Sequence, residues 1–147
     1  MNEETGGKPG AAFWVIGGLL AVWNLSGLYS YIQMSITTPE QLAAAGYNAQ
    51  QIAHVLGTPV WAHSAYAIAV NAGVAGVILM LLRKSWATPL FVISLVAALL
   101  QDLDAYVLRG ALEHFSAVWL AIPITVIVIC VFEIWYSLRA KARGWLA

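Results

Sequence analysis

Residues 59–82 read PVWAHSAYAIAVNAGVAGVILMLL, a run without Lys, Arg, Asp or Glu. At 1.5 Å rise per residue, about 20 such residues cross the hydrocarbon core of a bilayer as an α-helix. An open β structure of this composition would leave backbone amides unpaired in lipid, so a helix is the economical reading. Working outward, three further runs meet the same criterion: residues 13–34, 115–138 and 86–108, the last staying apolar to Leu100 before it takes in Gln101, Asp102 and Asp104. The whole chain agrees with these windows, since 61% of its 147 residues are hydrophobic and 10% are charged, against roughly 25% charged in soluble domains. The expected fold class is an all-α membrane protein, a four-transmembrane-helix bundle that makes one integral membrane domain over residues 1–147.

Basic residues set the expected orientation. Lys8 precedes the first span, Arg83 and Lys84 join the second to the third, and Arg139, Lys141 and Arg143 follow the fourth, while only Arg109 falls on the other side. By the positive-inside rule the N- and C-termini are cytoplasmic, and the chain is a multi-pass protein of a bacterial inner (cytoplasmic) membrane. Trp14, Trp61, Trp86, Trp135 and Tyr136 lie near span ends, where amphipathic rings favour the interface. The first span is longer and more polar than the apolar part of a signal peptide and is expected to be retained. Seven basic residues balance seven acidic ones, which leaves no basic field for nucleic acid. The single cysteine, Cys130, sits in an apolar run and can build neither a disulfide framework nor a CxxC pair.

The connections differ in length. Residues 83–85 are a tight turn, so the second and third spans should be antiparallel neighbours. Residues 35–58 are much longer. Within them Thr38-Pro39-Glu40-Gln41 has the form of a capping box with a first-turn proline, Gly46 is placed to stop the helix that follows, and residues 49–56 put Ile52, Val55 and Leu56 on one side. These features predict a short extracytoplasmic helical cap, residues 38–57, between the first two membrane helices.

Small residues mark the packing seams. Ala65, Ala69, Gly73 and Gly76 form a small-xxx-small face on the second span, and Gly17, Ala21, Asn24, Gly27 and Tyr31 a similar stripe on the first. Pro123 predicts a kink in the fourth span near Trp119. Asn24 and Asn71, in the middle of their spans, are expected to make helix-to-helix hydrogen bonds. Ser94, Ala97, Ala98, Gln101 and Asp104 share one face of the third helix, which should look into the bundle. Glu133 is expected to snorkel and pair with Arg139 or Arg83.

Topology brings the remaining polar groups to one membrane face: Gln33 ends the first span there, His63 and Tyr66 begin the second, Gln101, Asp102 and Asp104 end the third, and Glu113 with His114 precede the fourth. His54 of the cap can join them. The expected binding residues are therefore Gln33, His63, Tyr66, Gln101, Asp102, Asp104 and His114, around a pocket open to the outside and suited to a small polar solute, a proton or a divalent metal. No zinc spacing such as HExxH occurs, and metal and cofactor content stay open.

The runs WNLSGLYSYIQ (residues 23–33), PVWAHSAYAIAVNAGVAG (59–76) and LLRKSWATPLFVISL (81–95), with the following Gln101, resemble a family of small, mostly uncharacterised bacterial inner-membrane proteins, some labelled "sugar transporter". The resemblance covers roughly residues 13–101, and it implies a role for Asn24, Tyr31, Gln33, Trp61, Tyr66 and Gln101. Three function classes follow: binding or transport of a small polar solute, first; an accessory or assembly subunit of a larger membrane complex, second; and a metal-dependent membrane protein, third. No nucleophile and base pair in the sequence, which argues against an enzyme. The expected partners are the lipid bilayer and either a homodimer or a larger membrane complex.

Overall fold

A computed structural model describes residues 7–147; the first six residues of the expected 1–147 domain lie outside it. About 80% of the chain is helical, with no strand among the described residues. Four helical segments are long and apolar enough to cross a membrane: Ala11–Ile36, Val60–Leu81, Ala87–Leu108 and Ala117–Ala142. The first two are single α-helices, α1 (Ala11–Ile36) and α4 (Val60–Leu81), separated by two short ones, α2 (Pro39–Ala44) and α3 (Ala49–Leu56). The third is α5 (Ala87–Asp102) prolonged by a π-helical stretch, Leu103–Leu108, and the fourth is a 3-10 turn, Ala117–Leu120, running into α6 (Ala121–Ala142).

Local chemistry explains the breaks. Thr38 Oγ1 accepts from the Gln41 amide while Gln41 Oε1 accepts from the Thr38 amide, the reciprocal box expected from the sequence, with Pro39 in the first turn. Asn48 and Gln51 repeat that arrangement at the start of α3. Gly46, at φ 93°, terminates α2 with a Tyr47 amide reaching back to the Leu42 carbonyl, a left-handed C-terminal motif that favours glycine. Arg83 adopts the same left-handed conformation after α4, at φ 60°. Its strain is offset by two bonds to the C-terminal segment: its Nε donates to the Trp145 carbonyl at 2.8 Å, and its own carbonyl accepts from the Ala147 amide at 2.8 Å.

Pro123 does not kink a continuous helix. It lies at the third residue of α6, directly after the 3-10 turn, where backbone amides have no intrahelical acceptor and a missing N–H costs nothing. The irregularity near Trp119 is thus a helix start.

The helices pack in the order α1, α4, α5, α6, with α4 central between α1 and α5. Small residues of α4 and α1 permit this. A Cβ added at Gly76 would lie 2.8 Å from the Phe91 ring of α5, and one at Gly17 would lie 2.5 Å from Leu81. Phe13, Val77, Met80, Ala87, Phe91, Tyr136 and Ala140 form the main apolar core, and Leu146 and Trp145 close it at the end carrying the 83–86 turn. Toward the α2–α3 end the core thins to Ala69, Ala97 and Ala98, with Val126 against them. Large side chains therefore fill one half of the bundle, and alanines leave space in the other.

Gly76→Ala should lower unfolding free energy by about 1–3 kcal/mol through overpacking against Phe91, whereas Gly18→Ala, with nothing within 4 Å of the added carbon, should be neutral or stabilising. Thermal melts of the two variants in one detergent check this. Equal stability would contradict the close approach of α4 and α5.

Candidate functional site

The space left by the alanines is two adjoining cavities. One, of about 200 Å³, lies beneath α3 and is lined by His54, Thr58, His63, Tyr66, Gln101, Asp104, Arg109, Phe115 and Trp119 among others. The other, of about 430 Å³, runs deeper between α1 and α6 past Asn24, Ser30, Tyr66, Ser94, Gln101, Asp102, Tyr106 and Cys130. Met34, Tyr66, Gln101, Ala105 and Tyr106 line both, so these side chains stand between the two volumes.

The inward face of α5 produces this lining. Ser94, Ala97, Ala98 and Asp104 are buried, as their spacing predicts, and Ser94 Oγ donates to the Ala69 carbonyl at 2.7 Å, joining α5 to α4. The π-helical stretch changes the pitch just after Asp102, and the two carboxylates then serve different cavities, Asp102 the deep one and Asp104 the one beneath α3. π-Helical segments are rare and frequently occur at functional sites.

Asp104, 2% exposed, pairs with Arg109 Nε at 2.7 Å. The Arg109 guanidinium also donates to the His54 carbonyl and, at 3.1 Å, to Thr58 Oγ1. Carbonyls in the last turn of a helix lack intrahelical partners, and a cation there is favoured by the helix dipole. Arg109 therefore fastens the C-terminal end of α3 to the buried carboxylate of the third span. A second tie runs from Gln51 Nε2 to the His114 carbonyl at 2.9 Å. In sequence Arg109 stands out only as the exceptional basic residue on its side; its spacing of five from Asp104 is the one local signal of the pair.

The other expected residues divide. His63 lines the cavity beneath α3, its ring 5.1 Å from that of Tyr31 and its Nε2 3.3 Å from Ser35 Oγ. Tyr66 packs edge-on against Tyr31, with ring centroids 5.2 Å apart. Asp102 Oδ2 is buried without a hydrogen-bond partner among the described residues, and so is His114 Nδ1. His114 lines neither cavity but lies beside His54, the rings tilted with centroids 5.6 Å apart. Gln33 is exposed and lines neither cavity, because the last turn of α1 points it away from the bundle. Asn71 is likewise exposed and makes no bond to another helix; its Nδ2 donates to the Ala67 carbonyl one turn back at 2.8 Å. Tyr47, Tyr106, Phe115 and Trp119, which are not among the expected binding residues, supply aromatic walls.

Asn24 behaves as expected and Glu133 does not. Asn24 Nδ2 donates to Glu133 Oε1 across the bundle and to the Leu20 carbonyl at 2.9 Å. Glu133 is 1% exposed and does not snorkel; the ion pair found among the described residues is Asp104–Arg109. Arg83 and Arg139 have other contacts, the first with the Trp145 carbonyl and the second over the Trp135 ring. Asn24 reaches Glu133 because Gly73 offers no side chain, so its carboxamide oxygen occupies the place where a Cβ would stand.

Among the described residues no three of His, Cys, Asp and Glu are grouped to hold a metal ion. Cys130 is a buried free thiol beside the deep cavity. No family model matches the chain, and no curated protein or solved structure is significantly similar to it.

Burial first, then the neighbouring Arg109 and His114, hold the His54 imidazole below the ordinary histidine range, with the Asp104 carboxylate opposing them. Docking of α3 therefore favours neutral His54. As pH falls below about 6.5, an undocked imidazole binds a proton more readily than the docked one, and docking weakens. Hydrogen exchange of residues 49–58, corrected for intrinsic rates, should accelerate on acidification, and His54→Gln should remove that dependence. Arg109→Gln should raise the same exchange at least tenfold at neutral pH, since charged hydrogen bonds contribute about 1.5–3 kcal/mol. In the interior, Glu133→Gln keeps an acceptor for Asn24 and should be tolerated, whereas Glu133→Ala should cost about 2–5 kcal/mol by leaving a cavity and an unpaired amide. Denaturant titration in mixed micelles separates the two.

Proposed function

We propose that this protein binds a small polar solute within the bilayer, in the paired cavities reached from the α2–α3 end. The observation that carries the reading is the adjacency of the two cavities, which share Tyr66, Gln101 and Tyr106 as lining and together reach from beneath α3 to Asn24 near the middle of α1. Polar side chains placed within membrane spans are costly unless they meet protein, water or a ligand. Here Asn24, Tyr66, Ser94, Gln101 and Asp102 converge on the deep cavity.

The lining chemistry favours a neutral solute. Asp104 and Arg109 compensate each other, while Gln101, Tyr66 and Tyr106 offer donors and acceptors without fixed charge, and Trp119 and Phe115 offer flat apolar faces. Asp102 Oδ2, buried and unpartnered among the described residues, is an acceptor available to a hydroxyl donor. A polyhydroxylated molecule meets these demands.

In this reading α2 and α3 form an extracytoplasmic cap, the 83–86 turn and both chain ends face the cytoplasm, and the membrane is the bacterial inner membrane. The charge distribution supports it: Lys8, Arg83, Lys84, Arg139, Lys141 and Arg143 lie toward one end and Arg109 toward the other. The Arg109 contacts to His54 and Thr58 then act as a latch on the lid over the outer cavity.

Titration of the purified protein with a panel of neutral sugars and polyols, alongside their carboxylated or amino counterparts, should perturb tryptophan emission through Trp119 for a subset of the neutral compounds. Gln101→Ala and Tyr66→Phe should each weaken that response about tenfold, the effect of leaving a buried hydrogen-bonding partner unmade, with the fold intact by circular dichroism. Unchanged affinity in both variants, or a response confined to charged compounds, would overturn the proposal.

A further inference from the structure

Asn71 is the twelfth residue of the 22-residue helix α4, so it stands at the middle of a span, and it is exposed. Its Nδ2 bonds back to the Ala67 carbonyl, and its Oδ1 has no partner among the described residues. Hydrocarbon supplies no donor to a carboxamide at that depth, so the group calls for a polar partner from another chain. It is the single Asn or Gln exposed near mid-span among the described residues; Gln33 lies at the end of α1 and Asn24 faces Glu133.

The surrounding face has a definite pattern. Ser64, Ile68, Asn71, Ala75, Ile78 and Leu82 follow one another at alternating spacings of four and three, and all but Ala75 are exposed. That is a heptad seam, in which Ser64, Asn71 and Ile78 occupy one position and Ile68, Ala75 and Leu82 the other. Helices joined along such a seam cross at about +20° with left-handed supercoiling, a common geometry in membrane bundles. None of these six residues lines either cavity, so covering them leaves the proposed solute site open.

We propose that this face of α4 is the interface between two parallel copies of the chain, with Asn71 of each copy bonded to Asn71 of the other. The occupant is a second copy because of the chemistry of the seam. A carboxamide carries both donor and acceptor and is complementary to itself across a two-fold axis. The seam holds no charge to repel an identical face, and two copies inserted with the same orientation bring equal depths, hence Asn71 and Asn71, into register. A polar residue at one seam position fixes register in such pairs. The interface needs neither the cavities nor their proposed ligand.

The test uses the full chain with Cys130→Ser, reconstituted in vesicles, carrying a single cysteine at Ile68→Cys or at Val128→Cys on the exposed face of α6. Oxidative cross-linking should trap a dimer through residue 68 and not through residue 128, and the yield should persist on dilution with lipid. Asn71→Leu, which stays apolar and fills similar space, should shift the monomer–dimer equilibrium in native mass spectrometry about three- to tenfold toward monomer, the scale of one or two interhelical side-chain bonds. A monomer at every protein-to-lipid ratio, equal cross-linking at both positions, an Asn71→Leu dimer as strong as the parent, or a different chain trapped at residue 68 would each overturn it.

Discussion

A single missing side chain organises the interior. With no Cβ at Gly73, the Asn24 carboxamide lies across α4 and its amide reaches Glu133 on α6. That contact ties the first span directly to the last, which in the packing order α1, α4, α5, α6 lie at opposite ends. It also satisfies a carboxyl which, at 1% exposure, has no water to turn to. Any residue larger than glycine at position 73 would displace Asn24, orphan Glu133 and separate helices that otherwise meet through the aromatic pair Phe13 and Tyr136 near the other end.

Two consequences follow from how the rest of the volume is filled. Below that tie, Phe13, Met80, Phe91 and Tyr136 pack the bundle solid. Above it, Ala69, Ala97 and Ala98 occupy the equivalent layers, and their small size leaves α1 and α6 apart with a cavity between them. The polar lining of that cavity is exposed only because the alanines fail to cover it. The Asp104–Arg109 pair then fastens α3 over the upper opening, so one residue pair both neutralises a buried charge and positions the segment above it.

The sequence was most informative where periodicity or a local motif decided the outcome. The four spans, the Thr38 box, the Gly46 stop and the inward face of α5 were legible because hydrophobic runs, turn chemistry and three- and four-residue spacing are local properties. Residues whose role depends on which helix lies opposite were less legible. Asn24 and Asn71 look alike in sequence, each central in an apolar run, yet one faces Glu133 and the other faces outward, and only the packing order α1, α4, α5, α6 distinguishes them. Glu133 was misplaced for the same reason. Its nearest basic residues in sequence suggested an ion pair, whereas its partner lies 109 residues away. The latch made by Arg109 is not legible from charge counting, because two of its acceptors, a helix-end carbonyl and a threonine hydroxyl, belong to a segment more than fifty residues earlier.

A deep cavity that holds water and is entered from the α2–α3 end must expose its wall to reagents from that side, and thiol accessibility tests that directly. Ala98→Cys, buried at mid-span on the cavity wall, would be compared with Val96→Cys, which is exposed on the outer face of α5, both in a Cys130→Ser background. A membrane-impermeant thiosulfonate applied to the α2–α3 side of oriented vesicles should modify residue 98 and leave residue 96 untouched. Modification only from the opposite side, or none at residue 98 from either side, would contradict the account.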